Sequence, residues 1–280
     1  MLIEVRDLAH RYPTGTLALD HVNLGMDGGE VLAIIGQNGS GKTTLVKHLN
    51  GLLRPTDGAV CLNGEDIRER PISELARTVG FAFQNPDDQI FRGSVLEEVS
   101  FGPENIGFER AELTEAVDAA LEATGLSSYR ADHPYTLSPA LRKLVSIAGV
   151  YAMRSAVLVL DEPTTGQDLK GVRRIERLIE SARSRGTTVI VVTHDMAFVA
   201  RNFGRVVVMA DAHVLDDGPP ATVFWNLDAL VAAGLEAPAV ARLSQQLEGP
   251  PFLTIADAEL RLKSRFSAEA GRHSGEERRQ

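Results

Sequence analysis

The chain has little of several features that mark other protein classes, beginning with cysteine. Its 280 residues contain one cysteine, Cys61, so no disulfide can form within the chain, which fits a reducing cytosol. Long apolar runs are also absent, and no stretch approaches the roughly 20 residues that a membrane-spanning helix requires. The first residues lack the layout of a secretory signal peptide. If the protein acts at a membrane, another subunit must supply the spanning helices.

Positive charge is scarce as well. The sequence has 29 Lys and Arg against 38 Asp and Glu, which gives a net charge of −9. Because nucleic-acid-binding proteins carry a basic footprint, this balance argues against a nucleic-acid partner. The remaining composition, 24% charged and 44% hydrophobic, is typical of a soluble globular protein.

The most informative segment that is present is glycine-rich, with the sequence GQNGSGKT at residues 36–43. It fits the phosphate-binding pattern G-x-x-x-x-G-K-[ST], and an apolar run precedes it while a helix-like run follows. Glycines allow backbone N–H groups to approach phosphate oxygens, and a turn that binds nothing is the alternative. Lys42 would reach the β- and γ-phosphates, and Thr43 would bind Mg²⁺. The predicted nucleotide-binding residues are Gly36, Gln37, Asn38, Gly39, Ser40, Gly41, Lys42, Thr43 and Thr44, with ATP and Mg²⁺ as ligands.

A second landmark is an acidic pair at the end of the apolar run at residues 156–160. An acidic residue at the end of a buried strand can hold the Mg²⁺ that bridges phosphates, and Asp161 suits that role. Glu162 follows directly and therefore points elsewhere, where its carboxylate could orient and deprotonate an attacking water. An acidic pair that starts a surface turn is the alternative, which the upstream glycine-rich loop disfavours.

Sequence periodicity predicts an α/β fold. Strand and helix patterns alternate after residue 155, and this alternation indicates a parallel sheet flanked by helices. Apolar clusters near the N-terminus predict a small separate β-sheet, and residues 88–155 read mainly as helix. The predicted elements after residue 155 are strand 156–160, helix 168–185, strand 187–192, helix 195–201 and strand 205–210.

Taken together, these segments resemble the ATP-binding subunits of ABC transporters, over residues 3–247. More specifically, the segments resemble those of the energy-coupling-factor (ECF) ATPases, which drive uptake of vitamins and of cobalt or nickel. The matching segments are NGSGKTTL at 38–45, KHLNGLL at 47–53, FQNPDDQIF at 83–91, FGPEN at 101–105 and VLVLDEPT at 157–164.

The resemblance implies a domain organisation. We expect an ABC ATPase domain at residues 1–217, containing a small antiparallel β subdomain and a helical subdomain at about 88–155. A short helical extension follows at 218–266. Residues 267–280 are polar and charged without an apolar period, which predicts a disordered tail.

Further site residues follow from the resemblance. Tyr12 occupies the position at which the family stacks an aromatic ring on adenine. Gln84 matches the glutamine that contacts Mg²⁺ and the attacking water, and its loop also touches the membrane subunit. His194 matches a histidine that supports the γ-phosphate and the water. In the dimer-contact loop, Asp168 matches the family whereas Gln167 replaces the usual leucine.

The largest departure from the family lies at residues 137–141, where LSPAL replaces the motif Leu-Ser-Gly-Gly-Gln. In ABC dimers this motif faces the γ-phosphate held by the opposite subunit, so Ser138 is a predicted nucleotide contact. Pro139 has no N–H to donate, and Ala140 adds a Cβ where close approach is wanted. Ser138 should nevertheless cap a helix that Pro139 begins. The alternative is that Ser138 and the helix dipole suffice.

The resemblance also implies partners. These are an integral membrane transport subunit, a separate substrate-binding membrane subunit and a second ABC ATPase subunit, more readily a paralogue than a second copy. The chain would lie peripherally on the cytoplasmic face of the cell membrane. Two other functions stay open: a regulatory nucleotide-binding subunit of low turnover, and a soluble ABC ATPase outside transport. The sequence does not identify the transported substrate.

Overall fold

A six-stranded sheet forms the centre of the computed structural model, which describes residues 1–247 and 252–263. Its strand order is β10-β9-β3-β8-β7-β6, in which β10 is antiparallel to β9 and the other neighbours are parallel. The second sheet is antiparallel with the order β2-β1-β4-β5. The α/β fold with a small antiparallel sheet is therefore confirmed.

The strands are β1 Ile3–Arg11, β2 Leu17–Met26, β3 Val31–Ile35, β4 Asp57–Leu62, β5 Glu65–Asp66, β6 Val79–Ala82, β7 Val157–Asp161, β8 Thr188–Val192, β9 Arg205–Ala210 and β10 His213–Gly218. The α-helices are α1 Lys42–Leu49, α2 Ile72–Thr78, α3 Val95–Asn105, α4 Arg110–Thr124, α5 Pro139–Ala152, α6 Leu169–Ser184, α7 Met196–Asn202, α8 Pro220–Val223, α9 Leu227–Ala232 and α10 Ala239–Gln246. Residues 255–263 are also helical.

The central sheet divides the core into two apolar clusters. Because strand side chains alternate between faces, Leu32 and Ile34 of β3 join one cluster while Ala33 and Ile35 join the other. The first cluster lies against α1 and the antiparallel sheet, where the single cysteine, Cys61, is also buried. The second is shared with α4, α5 and α6. The sheet is therefore covered on both faces, as expected for parallel strands.

Helices dominate residues 95–152, as predicted. Helices α3, α4 and α5 pack on one another, and α5 leads directly back to β7 of the central sheet. Among the described residues after 218, four segments are helical, at α8, α9, α10 and 255–263. The proposed domain boundaries stay a prediction, and the expected tail at 267–280 lies outside the described residues. No helix in the described part of the chain has the length and apolarity that crossing a membrane would need.

The predicted elements do not include strand β10. Strand β10 pairs with β9 through a tight turn in which Asp211 and Ala212 have φ values of 45° and 69°. Asp211 suits a two-residue hairpin turn of this kind, but Ala212 stands where Gly normally follows, so the sequence lacks the usual Asp-Gly signal. Residues 211–218 therefore read as a loop, although they complete the edge of the central sheet.

Candidate functional site

The glycine-rich loop connects β3 to α1, which confirms the strand–loop–helix context. At two positions in the loop, a side chain larger than that of glycine would clash with neighbouring backbone. A Cβ on Gly36 (φ 155°) would lie 2.2 Å from the carbonyl oxygen of Met209, and one on Gly41 (φ 102°) would lie 2.4 Å from that of Ala18. The loop is therefore closely packed between neighbouring backbones and leads into the N-terminus of α1, a setting that favours anions.

Lys42 extends back over this loop. Its ammonium donates to the carbonyl oxygens of Gly36 at 2.8 Å and Gln37 at 2.7 Å, and the side chain is largely buried. Burial lowers the pKa of Lys42, whereas the charges of Glu162 and Asp161 oppose that shift. The loop thus holds a single cation where phosphates would be neutralised.

The acidic strand end faces the loop. Thr43 Oγ1 donates to Asp161 Oδ2 at 3.0 Å, which joins α1 to the end of β7. Burial raises the pKa of Asp161, the bond from Thr43 lowers it, and the Glu162 charge raises it. Asp161 Oδ1 has no hydrogen-bond partner among the described residues although Asp161 is only 2% exposed. Because Mg²⁺ binds oxygen ligands, a threonine hydroxyl beside an unpartnered carboxylate oxygen fits that ion.

Glu162 is held differently from its neighbour. It has a φ of 48°, an uncommon value for a residue other than glycine, and its N–H donates to the Val192 carbonyl at 2.8 Å. His194 Nδ1 lies 2.8 Å from Glu162 Oε1, and Thr165 Oγ1 donates to Oε2 at 3.2 Å. The carboxylate is therefore oriented by partners on two sides, while the His194 side chain remains 65% exposed.

A cavity of about 450 Å³ unites most of these residues. Tyr12 lies at its border, where the phenol oxygen is 3.1 Å from Thr44 Oγ1. Gln84 is exposed and lines the same cavity. The structure therefore brings together residues that are far apart in sequence. The lining residues include Tyr12, Asn38, Gly39, Gly41, Lys42, Thr43, Thr44, Gln84, Asp161 and Glu162.

Ser138 is not among the lining residues of the cavity. Its hydroxyl caps α5 by accepting from the Leu141 N–H at 3.3 Å, and Pro139 is the first residue of that helix. The predicted cap is thus confirmed. The resemblance assigns Ser138 to the site of an opposite subunit, and that role stays a prediction.

Sequence reasoning missed Lys143. This residue is 4% exposed, and its ammonium donates to the carbonyl oxygens of Phe83, Gln84 and Asp161 at 2.8, 2.6 and 2.9 Å. Burial lowers its pKa to about 8, against the pull of Asp161 and Glu162. One signal was available, because Lys143 lies one helical turn before the buried Ile147 and thus on the apolar face of α5.

Two further contacts concern positions that had been singled out. The exposed Gln37 side chain lies beside the turn after α9, where a Cβ on Gly234 would lie 1.3 Å from Gln37 Nε2. Gln167 donates from Nε2 to the Ala140 carbonyl at 3.0 Å, while Asp168 caps α6 through the Gly171 N–H at 2.7 Å. The residue that replaces the family's leucine therefore contacts the altered LSPAL segment.

A phosphate-binding loop that faces an acidic strand end across a parallel sheet makes this a P-loop nucleoside triphosphatase. Comparison with known proteins refines the class. The ABC transporter family model matches residues 19–165. An energy-coupling factor transporter ATP-binding protein of Methanocaldococcus jannaschii is 41% identical over 88% of this chain and 89% of its own length. This chain therefore belongs to the ABC transporter family of ATP-binding proteins, and it is an ABC ATPase.

Other relatives differ in length. A putative ABC transporter ATP-binding protein of Methanosarcina acetivorans is 42% identical over 93% of this chain, which spans only 43% of that relative. Among solved structures, cbiO1 of Clostridium perfringens, part of the ABC transporter complex cbiONQ, is 36% identical with a TM-score of 0.72. The match covers 87% of this chain and 98% of cbiO1. The dimeric ABC transporter cassette MJ0796 is 27% identical with a TM-score of 0.72, over 78% of this chain and 99% of the cassette.

Proposed function

We propose that this chain is the ATP-hydrolysing subunit of an ECF-type importer for a vitamin or for a cobalt or nickel ion. The observation that carries the proposal is the contact between Glu162 and His194 beside the phosphate-binding loop, because it supplies an oriented base where the γ-phosphate would lie. The energy-coupling-factor relatives and cbiO1 support the transporter class.

In this proposal the loop N–H groups and Lys42 bind the phosphates of ATP. Thr43, Asp161 and Gln84 hold Mg²⁺, which when bound neutralises charge on the phosphate oxygens. Glu162 accepts the proton of the attacking water, and its two partners keep the carboxylate pointed at that water. His194 donates Nδ1–H to Glu162 and so orients the carboxylate, and its Nε2 can donate to a phosphate oxygen only when both ring nitrogens carry protons.

The membrane partner is proposed to dock in an apolar groove outside the nucleotide cavity. This groove has a volume of about 480 Å³ and lies between the central sheet and α3. Phe91 at its edge is 60% exposed and packs edge-to-face on Phe101 at 4.7 Å between ring centroids. Exposed aromatic side chains are frequent anchors of protein interfaces, so docking here would hold the chain on the cytoplasmic face of the membrane.

Copurification tests this docking. The chain is expressed with the integral membrane protein encoded beside it, and the membrane fraction is tested for the ATPase. Phe91→Ser should reduce recovery in membranes while ATP binding is retained. Leu96→Ser is the matched control, because Leu96 is 39% exposed but does not line the groove. Equal recovery of both variants would refute the docking site.

The remaining partners are proposed to be a separate substrate-binding membrane subunit and a second ABC ATPase subunit. A paralogue with an intact Leu-Ser-Gly-Gly-Gln motif suits the second position better than another copy of this chain. The reason is that a homodimer would place Pro139 and Ala140 in both of its shared sites.

A regulatory subunit of low turnover is the second candidate, and the LSPAL segment favours it. Helix α5 starts normally at Pro139, so the altered residues are compatible with the fold, and the effect proposed for them is on the chemistry. Turnover measured with the natural partner separates the two candidates. Hydrolysis that depends on Glu162 supports the importer subunit, and hydrolysis that does not supports the regulatory one.

A further inference from the structure

Two buried histidines lie directly behind the nucleotide cavity. His10 of β1 is 7% exposed and His48 of α1 is 1% exposed. His48 Nδ1 lies 2.7 Å from the Thr44 carbonyl oxygen, and His48 Nε2 lies 3.2 Å from His10 Nδ1. His10 Nδ1 is also 3.0 Å from the Arg54 carbonyl oxygen. The two rings thus connect the phosphate-loop helix to the antiparallel sheet.

These contacts define the tautomers. A carbonyl oxygen only accepts, so His48 carries its proton on Nδ1 and donates to Thr44. Its Nε2 is then an acceptor, and His10 must donate to it from Nδ1, sharing that proton with Arg54. The His48 ring is therefore neutral, and burial, which lowers the pKa of His48, acts in the same direction.

The contacts close into a ring of four side chains. Thr44 Oγ1 lies 3.1 Å from the phenol oxygen of Tyr12. The ring of Tyr12 in turn meets the ring of His10 edge-to-face, with centroids 4.8 Å apart and planes at 87°. Tyr12 is thus held at its hydroxyl by the phosphate-loop helix and at its ring by His10. His48 joins these two supports.

We propose that His10 and His48 are positioning residues that fix the Tyr12 ring toward the base of ATP and so set the base-dependent part of nucleotide affinity. This inference rests on the proposed function, in which Tyr12 stacks on adenine. A ring already held in its bound orientation loses less conformational freedom on binding, and this favours the complex. The phosphates are bound separately by the loop and Lys42, so that part of the affinity should not depend on the pair.

The experiment compares a ligand with a base and a ligand without one. Dissociation constants of the full chain for ATP and for inorganic tripolyphosphate, each with Mg²⁺, are measured by calorimetry. His10→Asn keeps a donor near the Nδ1 position but removes the ring against Tyr12. His48→Asn keeps a donor for Thr44 but removes the acceptor for His10. His10→Phe keeps a ring, and serves if His10→Asn does not fold. The exposed His133→Asn is the control.

Loss of an aromatic stacking partner weakens base binding by about 5- to 100-fold, so Tyr12→Ala should lose affinity for ATP in this range and keep affinity for tripolyphosphate. The histidine variants should show the same selectivity with a smaller loss, and a raised KM for ATP with an unchanged kcat. Equal losses for both ligands, or none for either, would overturn the inference. If Tyr12→Ala is selective and the histidine variants are not, the inference alone fails. If Tyr12→Ala is not selective, the base site of the proposed function fails with it.

Discussion

Gln167 Nε2 donates a hydrogen bond to the Ala140 carbonyl over 3.0 Å, so the two segments that depart from the ABC pattern are in contact with each other. The contact depends on Gly171, because a Cβ there would lie 2.2 Å from Gln167 Oε1. A leucine at position 167 has no such donor. A hydrogen bond within one chain therefore connects the dimer-contact loop to the start of α5.

Gln167→Leu should remove this hydrogen bond and lower the stability of the fold only slightly. Loss of one neutral hydrogen bond lowers the free energy of unfolding by about 1 kcal/mol, since the Ala140 carbonyl still belongs to the first turn of a helix. Urea denaturation measures the change, with the exposed Gln246→Leu as control. A loss several times larger would mean that Gln167 supports the core itself.

Glu162→Gln should keep ATP binding and lower turnover by about 100- to 10,000-fold, the range for loss of a general base. The amide retains the shape of the carboxylate but cannot accept the proton of water. Steady-state hydrolysis and ATP titration measure the two quantities. The exposed Glu180→Gln on α6 is the matched control, and near-normal hydrolysis by Glu162→Gln would remove this residue from the mechanism.

In a mixed complex with a paralogue the two shared sites should respond unequally. This chain's Lys42 and Glu162 would face the partner's intact motif, whereas the partner's loop would face LSPAL. One charge-assisted hydrogen bond to phosphate contributes about 1.5–3 kcal/mol, which is roughly a ten- to hundredfold change in rate. Glu162→Gln should therefore silence the complex, and the matching change in the partner should matter much less. Brisk hydrolysis by the purified homodimer, or equal sensitivity of both sites, would contradict this asymmetry.

The buried His48 should make stability depend on pH. Burial lowers its pKa below the ordinary 6.5, so the unfolded chain binds the proton first as pH falls. Between 6.5 and the lower native pKa the unfolded state holds more protons, and the free energy of unfolding decreases as pH drops through this window. His48→Asn lacks this dependence, so its stability relative to wild type should improve from about pH 7.5 to about pH 5.5. Parallel pH profiles in urea denaturation would refute the effect.

The parts of the fold that could be predicted are those fixed by local pattern. The apolar strand before Gly36, the helix after it and the N-cap at Ser138 each follow from a short run of residues. The placement of Lys143 could not be predicted, because its three carbonyl partners come from strand ends that only the tertiary fold brings together. The same holds for His10 and His48, which are separated by 38 positions in sequence and meet only when β1 packs on α1.

Strand β10 is a case in which the local sequence preferences predict the wrong conformation. Its Asp and Gly residues have low strand propensity, and Ala212 in its turn has a positive φ that alanine rarely adopts. Pairing with β9 and the bond from the Asp20 N–H to the Ala212 carbonyl at 2.9 Å outweigh these local preferences. Tertiary contacts therefore determine the conformation of β10, and no local sequence pattern indicates those contacts.

The buried ammonium of Lys143 has a mechanical consequence. It lies in the second turn of the helix that begins at Pro139, and its ammonium donates to the backbone carbonyls of Gln84 and Asp161. A buried cation loses much free energy if it gives up its acceptors, so a tilt of α5 is expected to move both of these backbone segments with it. Because α5 also lines the groove beside α3, through residues such as Ser146 and Val150, a partner bound in that groove would be coupled to the acidic end of β7 through Lys143 and not through the nucleotide.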